Sequence, residues 1–172
     1  MLTFGISAYA ASDPASCLQN FEKVSDSLYR GAQPSDAGLR ELAKIGINMV
    51  VDLRGEGGRS TREAALAQSL GMKYVNIPLD GFKAPTADQV AKVQAIFEDA
   101  SAGKVFVHCR RGADRTGTMV AIYRIEHDHW QNQQALNEAK TMKMAAAERL
   151  MQNYVMHYTA TAVNATKAGA AN

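Results

Sequence analysis

Apolar positions along this chain recur with a period that switches between two and about 3.6. Residues 21–31, FEKVSDSLYRG, place two short runs of Phe, Val, Leu and Tyr around Ser25 and Asp26, a pattern that predicts a hairpin of short strands. From Pro34 the period becomes helical: Ser35 is a capping candidate, Leu39, Leu42 and Ile45 share a face, and Gly46 marks the stop. Three strand–helix alternations follow. The segment 48–58 is a short apolar run closed by glycines, 60–72 (STREAALAQSLGM) reads as a capped helix, and 73–81 is a strand entering a loop. Thr86 then caps a helix with Val90, Val93, Ile96 and Phe97 on one face, and KVFVHC at 104–109 is the last strand. Segments 116–130, 132–142 and 145–163 predict three closing helices, with a frayed tail over 164–172.

Strands alternating with helices on so short a repeat predict an α/β fold, a central, mostly parallel five-stranded sheet flanked by helices. The runs 48–53 and 104–108 read as buried on both faces. In such sheets ligands bind beyond the carboxyl ends of the strands, which directs attention to the residues after Val107. The length of 172 residues suits one domain, expected over 21–163 after a leader at 1–20. A net charge of +2 makes no case for a nucleic-acid partner, and no stretch approaches a membrane span. Basicity is instead local: Arg110, Arg111 and Arg115 lie within six residues, offset only by Asp114. Two cysteines, Cys17 and Cys109, in unlike contexts are read as thiols rather than a bridge. In the leader, Ala8-Tyr9-Ala10 ends a short apolar run with the small-x-small pattern of a signal-peptidase site, though no basic segment precedes it. The expected location is the periplasm, with the cytoplasm as the alternative.

The stretch VHCRRGADRTG at 107–117 joins a predicted strand to a predicted helix. A loop that curls into a helix N-terminus presents converging backbone N–H groups with the helix dipole behind them, a seat for a phosphoryl dianion. The predicted phosphate cradle is therefore Arg110, Arg111, Gly112, Ala113, Asp114 and Arg115. Gly112 permits the curl, and Arg115 supplies a two-pronged guanidinium. Arg110 and Arg111 are expected to point outward and shape the entrance; the Asp114 side chain is expected to orient groups at the loop base. Donors that receive phosphate also stabilise a thiolate, so Cys109 is the candidate nucleophile and Thr116 the hydroxyl that assists its departure. That chemistry needs no metal and no cofactor. His108, as a strand residue, is expected to point away from the thiol and support the loop.

HCRRGADRTG resembles the signature of the cysteine-based protein tyrosine and dual-specificity phosphatases, with His108, Cys109, Gly112, Arg115, Thr116 and Gly117 at its defining positions. LYRGAQP at 28–34 and VVDLR at 50–54 are similar to segments of the small atypical dual-specificity phosphatases, and the compact length suits the bacterial periplasmic members. The resemblance implies hydrolysis of phosphomonoesters through a phosphocysteine, a phosphorylated protein (phosphotyrosine, with phosphoserine or phosphothreonine) as partner, and a monomer. It also implies an aspartate general acid upstream: Asp80 is the candidate, Asp88 the rival, since Asp88 at a helix start also serves the dipole. The alternatives are a phosphatase of non-protein substrates such as phosphoinositides, inositol polyphosphates or nucleotides, and a phosphate-reading module with little turnover. His127, Asp128 and His129 read as a helix end rather than a metal cluster. Arg30, Gln33 and Arg54 read equally as packing residues or as the edge of the site.

Overall fold

A computed structural model describes residues 17–160. The elements run β1 (Glu22–Lys23), β2 (Leu28–Ala32), α1 (Asp36–Lys44), β3 (Met49–Asp52), α2 (Gly58–Ser69), β4 (Lys73–Asn76), α3 (Ala87–Glu98), β5 (Val105–Cys109), α4 (Asp114–Glu126), α5 (Asn132–Thr141) and α6 (Arg149–Met156), with a 3-10 turn at Ala100–Ala102. The five strands form one sheet in the order β1-β2-β5-β3-β4, antiparallel between β1 and β2 and parallel elsewhere. This is the expected fold class. β5 lies at the centre, paired with β2 (Ala32 opposite Cys109) and with β3 (Asp52 opposite His108).

Period-two alternation sorts the strand side chains onto two cores. Val105, Val107 and Cys109 pack with Met49, Val51 and Leu53 against Val90 and Val93 of α3 and Met119, Val120 and Ile122 of α4. Phe106 and Val50 face the other way, against Leu39 and Leu42 of α1 and Ala67 of α2. Nearly every residue of α4 is buried, because this helix is covered by the sheet on one side and by α5 and α6 on the other.

Several expectations shift. Residues 17–20, assigned to the leader, belong to the body: Leu18 is buried in the α1–α2 core and the Gln19 carbonyl accepts from the Ala32 N–H. The small-x-small segment at 8–10 and the tail at 164–172 lie outside the described residues. Ser35 caps α1 and Thr86 closes a reciprocal capping box with Gln89 on α3, as the sequence predicts. Helix α2, however, starts at Gly58 with no side-chain cap; the Ser60 hydroxyl donates instead to the buried carboxylate of Asp52, 3.0 Å away. The final helix occupies only part of 145–163. The Ala145 N–H is drawn to Asp114 Oδ1 at 2.9 Å, and the Asn132 amide donates to the carbonyls of Val155, Met156 and Tyr158, ending α6 from the side. No described helix is long and apolar enough to cross a membrane.

Candidate active site

Residues 110–113 curl between the end of β5 and the start of α4. Gly112 has φ +68°, a left-handed conformation, and a Cβ there would be driven into the backbone of Gly31 and Ala32. Its carbonyl accepts from Arg30 Nη2 at 2.9 Å and Asn20 Nδ2 at 3.0 Å, while the Arg110 carbonyl accepts from the Gln33 N–H at 3.3 Å. These donors fix the Arg110 and Gly112 carbonyls from outside the loop. Ala113, the N-cap of α4, offers no capping side chain, so the first-turn N–H groups of the helix remain available to an anion. Cys109 ends the central strand here, 2 % exposed, and no disulfide joins it to Cys17.

Side chains of the predicted cradle divide. Arg115 is half-buried, its Nη1 close to the carbonyls of Leu53 (3.3 Å) and Leu79 (3.4 Å), which hold it across the ends of neighbouring strands. Arg110 is exposed at the rim. Arg111 and Asp114 do not offer side chains to phosphate: they pair at 2.6 Å, and Asp114 also accepts from the Ala145 N–H, so its carboxylate ties the loop base to the segment before α6. The Arg111 guanidinium is held more firmly protonated by that hydrogen bond. Thr116 is fully buried, and its hydroxyl makes no hydrogen bond; the expected donation to the Cys109 sulfur is not made in this state.

His108 points to the opposite face of the sheet, as expected, but its surroundings were not foreseen. Nε2 lies 2.7 Å from Glu63 Oε1, and Nδ1 lies 3.2 Å from the Cys109 carbonyl. Arg54 bridges Asp52 and Glu63, with Nη2 2.7 Å from a carboxylate oxygen of each, and Tyr74 and Ser60 donate to Asp52. Burial pushes the Asp52 carboxyl up, yet the Arg54 guanidinium, the neighbouring His108 and the Tyr74 hydroxyl win and hold it below its ordinary range. The same network holds Arg54 protonated against its own desolvation and, with burial leading, raises the Tyr74 phenol. Asp52, Glu63 and His108 converge closely enough to suggest a metal site among the described residues. The guanidinium of Arg54 already supplies the cation there. VVDLR carried half of this signal; Glu63, nine residues beyond Arg54, has no local pattern to mark it.

Asp80 sits in the loop after β4. That loop borders Arg115: Leu79, Asp80, Lys83, Pro85 and Arg115 line one small cavity. The Asp80 carboxylate accepts from the Phe82 N–H at 2.8 Å and lies 3.6 Å from Lys83 Nζ, and both, the backbone donor first, lower its pKa. Asp88 is turned to Lys92 at 2.8 Å in the first turn of α3, the dipole role. His127 and Asp128 pair at 2.8 Å at the end of α4, next to Arg124.

A cleft of about 320 Å³ opens beside the loop, lined by Gln33, Arg54, Arg59, Arg110 and Arg115 and by the glycine-rich start of α2. A larger one of about 550 Å³ lies between α3 and α6 and includes no residue of the loop. The site is chosen by chemistry, not by volume.

Known proteins agree with this architecture. The chain is 38% identical over 100 residues to NAD kinase 2, chloroplastic, of Arabidopsis thaliana, covering 56% of this chain and 10% of that protein. It is 29% identical over 119 residues to the dual specificity protein phosphatase TpbA of Pseudomonas aeruginosa, covering 69% of this chain and 52% of that protein. It thus spans about half of TpbA and a small part of the plant kinase. Among solved structures, the core catalytic domain of the PP-IP phosphatase SIW14 from S. cerevisiae superposes with a TM-score of 0.78 at 19% identity, covering 88% of this chain and 93% of that one. TpbA superposes with a TM-score of 0.71 at 24% identity, over 94% of each chain. The family model described as "DSP-PTPase phosphatase fused to NAD+ Kinase" matches residues 9–157, and the chain belongs to that phosphatase family.

Proposed function

We propose that this chain hydrolyses phosphomonoesters, phosphotyrosine and also phosphoserine or phosphothreonine in proteins, through a phosphocysteine on Cys109. The observation that carries this is a buried cysteine that ends the central strand at the loop opening α4, a helix with no side-chain cap. The phosphoryl group binds to the 110–115 amides and Arg115, the thiolate attacks phosphorus, and the ester P–O bond breaks. Asp80 gives a proton to the leaving oxygen, then takes one from the water that cleaves the P–S bond and releases inorganic phosphate. Rotation of the Thr116 hydroxyl toward the sulfur eases that second departure. TpbA has been crystallised with pTyr, which supports a phosphotyrosine substrate. Cys109→Ser is expected to abolish turnover of a phosphotyrosine peptide while retaining phosphate binding; wild-type turnover in that variant sinks the assignment.

A second reading takes a non-protein, multiply phosphorylated substrate. What favours it is the cleft beside Arg115: Arg54, Arg59 and Arg110 line it, and α2 begins there without a cap or an acidic first turn. SIW14, a PP-IP phosphatase, shares the fold. Comparing kcat/KM on phosphopeptides and inositol phosphates, in wild type and in Arg59→Ala, separates the two. A loss confined to the inositol phosphates selects the second reading. Export to the periplasm is proposed from the Ala8-Tyr9-Ala10 pattern and is checked by fractionation.

A further inference from the structure

Arg30 is the largest fully buried side chain of the described residues, at 0 % exposure, on the face of the sheet that carries α4. Nη2 donates to the Gly112 carbonyl at 2.9 Å, and Nε and Nη1 are buried without a hydrogen-bond partner. Gly117 in the first turn of α4 lies beside it: a Cβ at that position would be 3.6 Å from Arg30 Nη2, an ordinary van der Waals contact. Among the described residues no carboxylate comes within ion-pair distance of it. Burial pushes the guanidinium below its ordinary pKa, opposed across longer distances by Glu22, Glu138 and the Cys109 sulfur. A buried, incompletely paired cation is costly by itself. This one also lies against the first turn of α4, the positive end of that helix, where a cation is further disfavoured. Packing alone explains neither cost, because an apolar side chain of similar volume would fill the space at less expense.

We infer that Arg30 is a positioning residue of the phosphate site, charging the loop from behind while pinning the Gly112 carbonyl outward. Both costs fall when a phosphoryl dianion or the Cys109 thiolate occupies the front of the loop. Asn20 holds the same carbonyl at 3.0 Å but is neutral, so the two roles, holding and charging, are separable by substitution.

The inference rests on the proposed role of the Cys109 loop, and the test keeps the two apart. Binding of inorganic phosphate to the wild-type protein, measured by calorimetry, tests the loop itself. Arg30→Met is expected to weaken that binding by about tenfold or more, the effect of one unit charge removed at close range in a protein interior. It should also slow iodoacetate labelling of Cys109 at pH 6.5 by a similar factor, read by peptide mapping, and leave the rate at pH 9.5 little changed. Arg30→Lys keeps the charge and should lie within about threefold of wild type on both readouts. Asn20→Ala removes a neutral donor shared by the carbonyls of Gly112, Arg111 and Met142, and should slow labelling at pH 6.5 by less than Arg30→Met does. Wild-type binding and labelling in a folded Arg30→Met protein overturn the inference, as does an Arg30→Lys protein impaired as much as Arg30→Met. Should Arg30→Met not fold, an Arg30 Nε–H NMR resonance that ignores phosphate saturation in the wild-type protein overturns it equally.

Discussion

Gly112 shows how one residue sets the geometry of the loop. Its left-handed φ and its contact with the Gly31 backbone leave no place for a side chain, so Gly112→Ala must either strain the loop or push it off β2. A cost of about 2 kcal/mol or more in stability is expected, with kcat/KM falling far further, since the loop amides lose their convergence. A thermal melt and phosphotyrosine-peptide kinetics check both. Asp80 is a different case at this scale. A general acid must be protonated, yet the Phe82 N–H and Lys83 favour the carboxylate in the unliganded protein. Lys83→Met removes one of those influences, so the pKa of the acid rises and the alkaline limb of the kcat/KM profile should move to higher pH. An unmoved limb argues that another group supplies the proton. Asp80→Asn should reduce kcat more for alkyl phosphates than for an activated aryl ester. The signature residues around Cys109 were legible because each serves the loop locally; Arg111 was expected at the entrance, and it was the structure that paired it with Asp114.

Between elements, the Asp52–Arg54–Glu63–His108 network ties α2 to β3 and β5 directly behind the nucleophile. Breaking it from one side strands a buried charge, so Asp52→Asn is expected to cost about 3 kcal/mol. The pH dependence has a defined sign. Asp52 is held below its unfolded pKa, so its contribution is complete above the ordinary carboxylate range and disappears as pH falls through the depressed folded value. Thermal melts should therefore show the gap between wild type and Asp52→Asn closing below about pH 4. Element type and order followed from periodicity, but two ends did not. Ser60 was drawn from capping α2 to serve Asp52, and Asn132 stopped α6 from a neighbouring helix. Both are contacts between segments that the linear pattern treats separately.

Over the whole molecule, anion binding and folding are linked, because the cradle exists only when β5, α4 and the loop after β4 are assembled around Arg115. Inorganic phosphate at a hundred times its dissociation constant should add about 2.7 kcal/mol of stability, a rise of roughly 5–10 °C in Tm for a domain of this size. Arg115→Ala should lose most of that rise; the full rise in that variant would mean phosphate binds elsewhere. By itself the sequence determined the alternation of strands and helices, the parallel sheet and the place of the cysteine loop at a strand end, because hydrophobic period, caps and turn glycines act over a few neighbouring residues. Only the tertiary structure decided which distant polar side chains serve the site. Arg30 comes from β2 and Asn20 from a segment read as leader, both reaching the Gly112 carbonyl, while Glu63 from α2 reaches His108 on the strand that leads into the loop. Burial turned Arg30 and Glu63 from ordinary surface-type residues into parts of the site, and burial is a property of the packed molecule, not of any stretch of it.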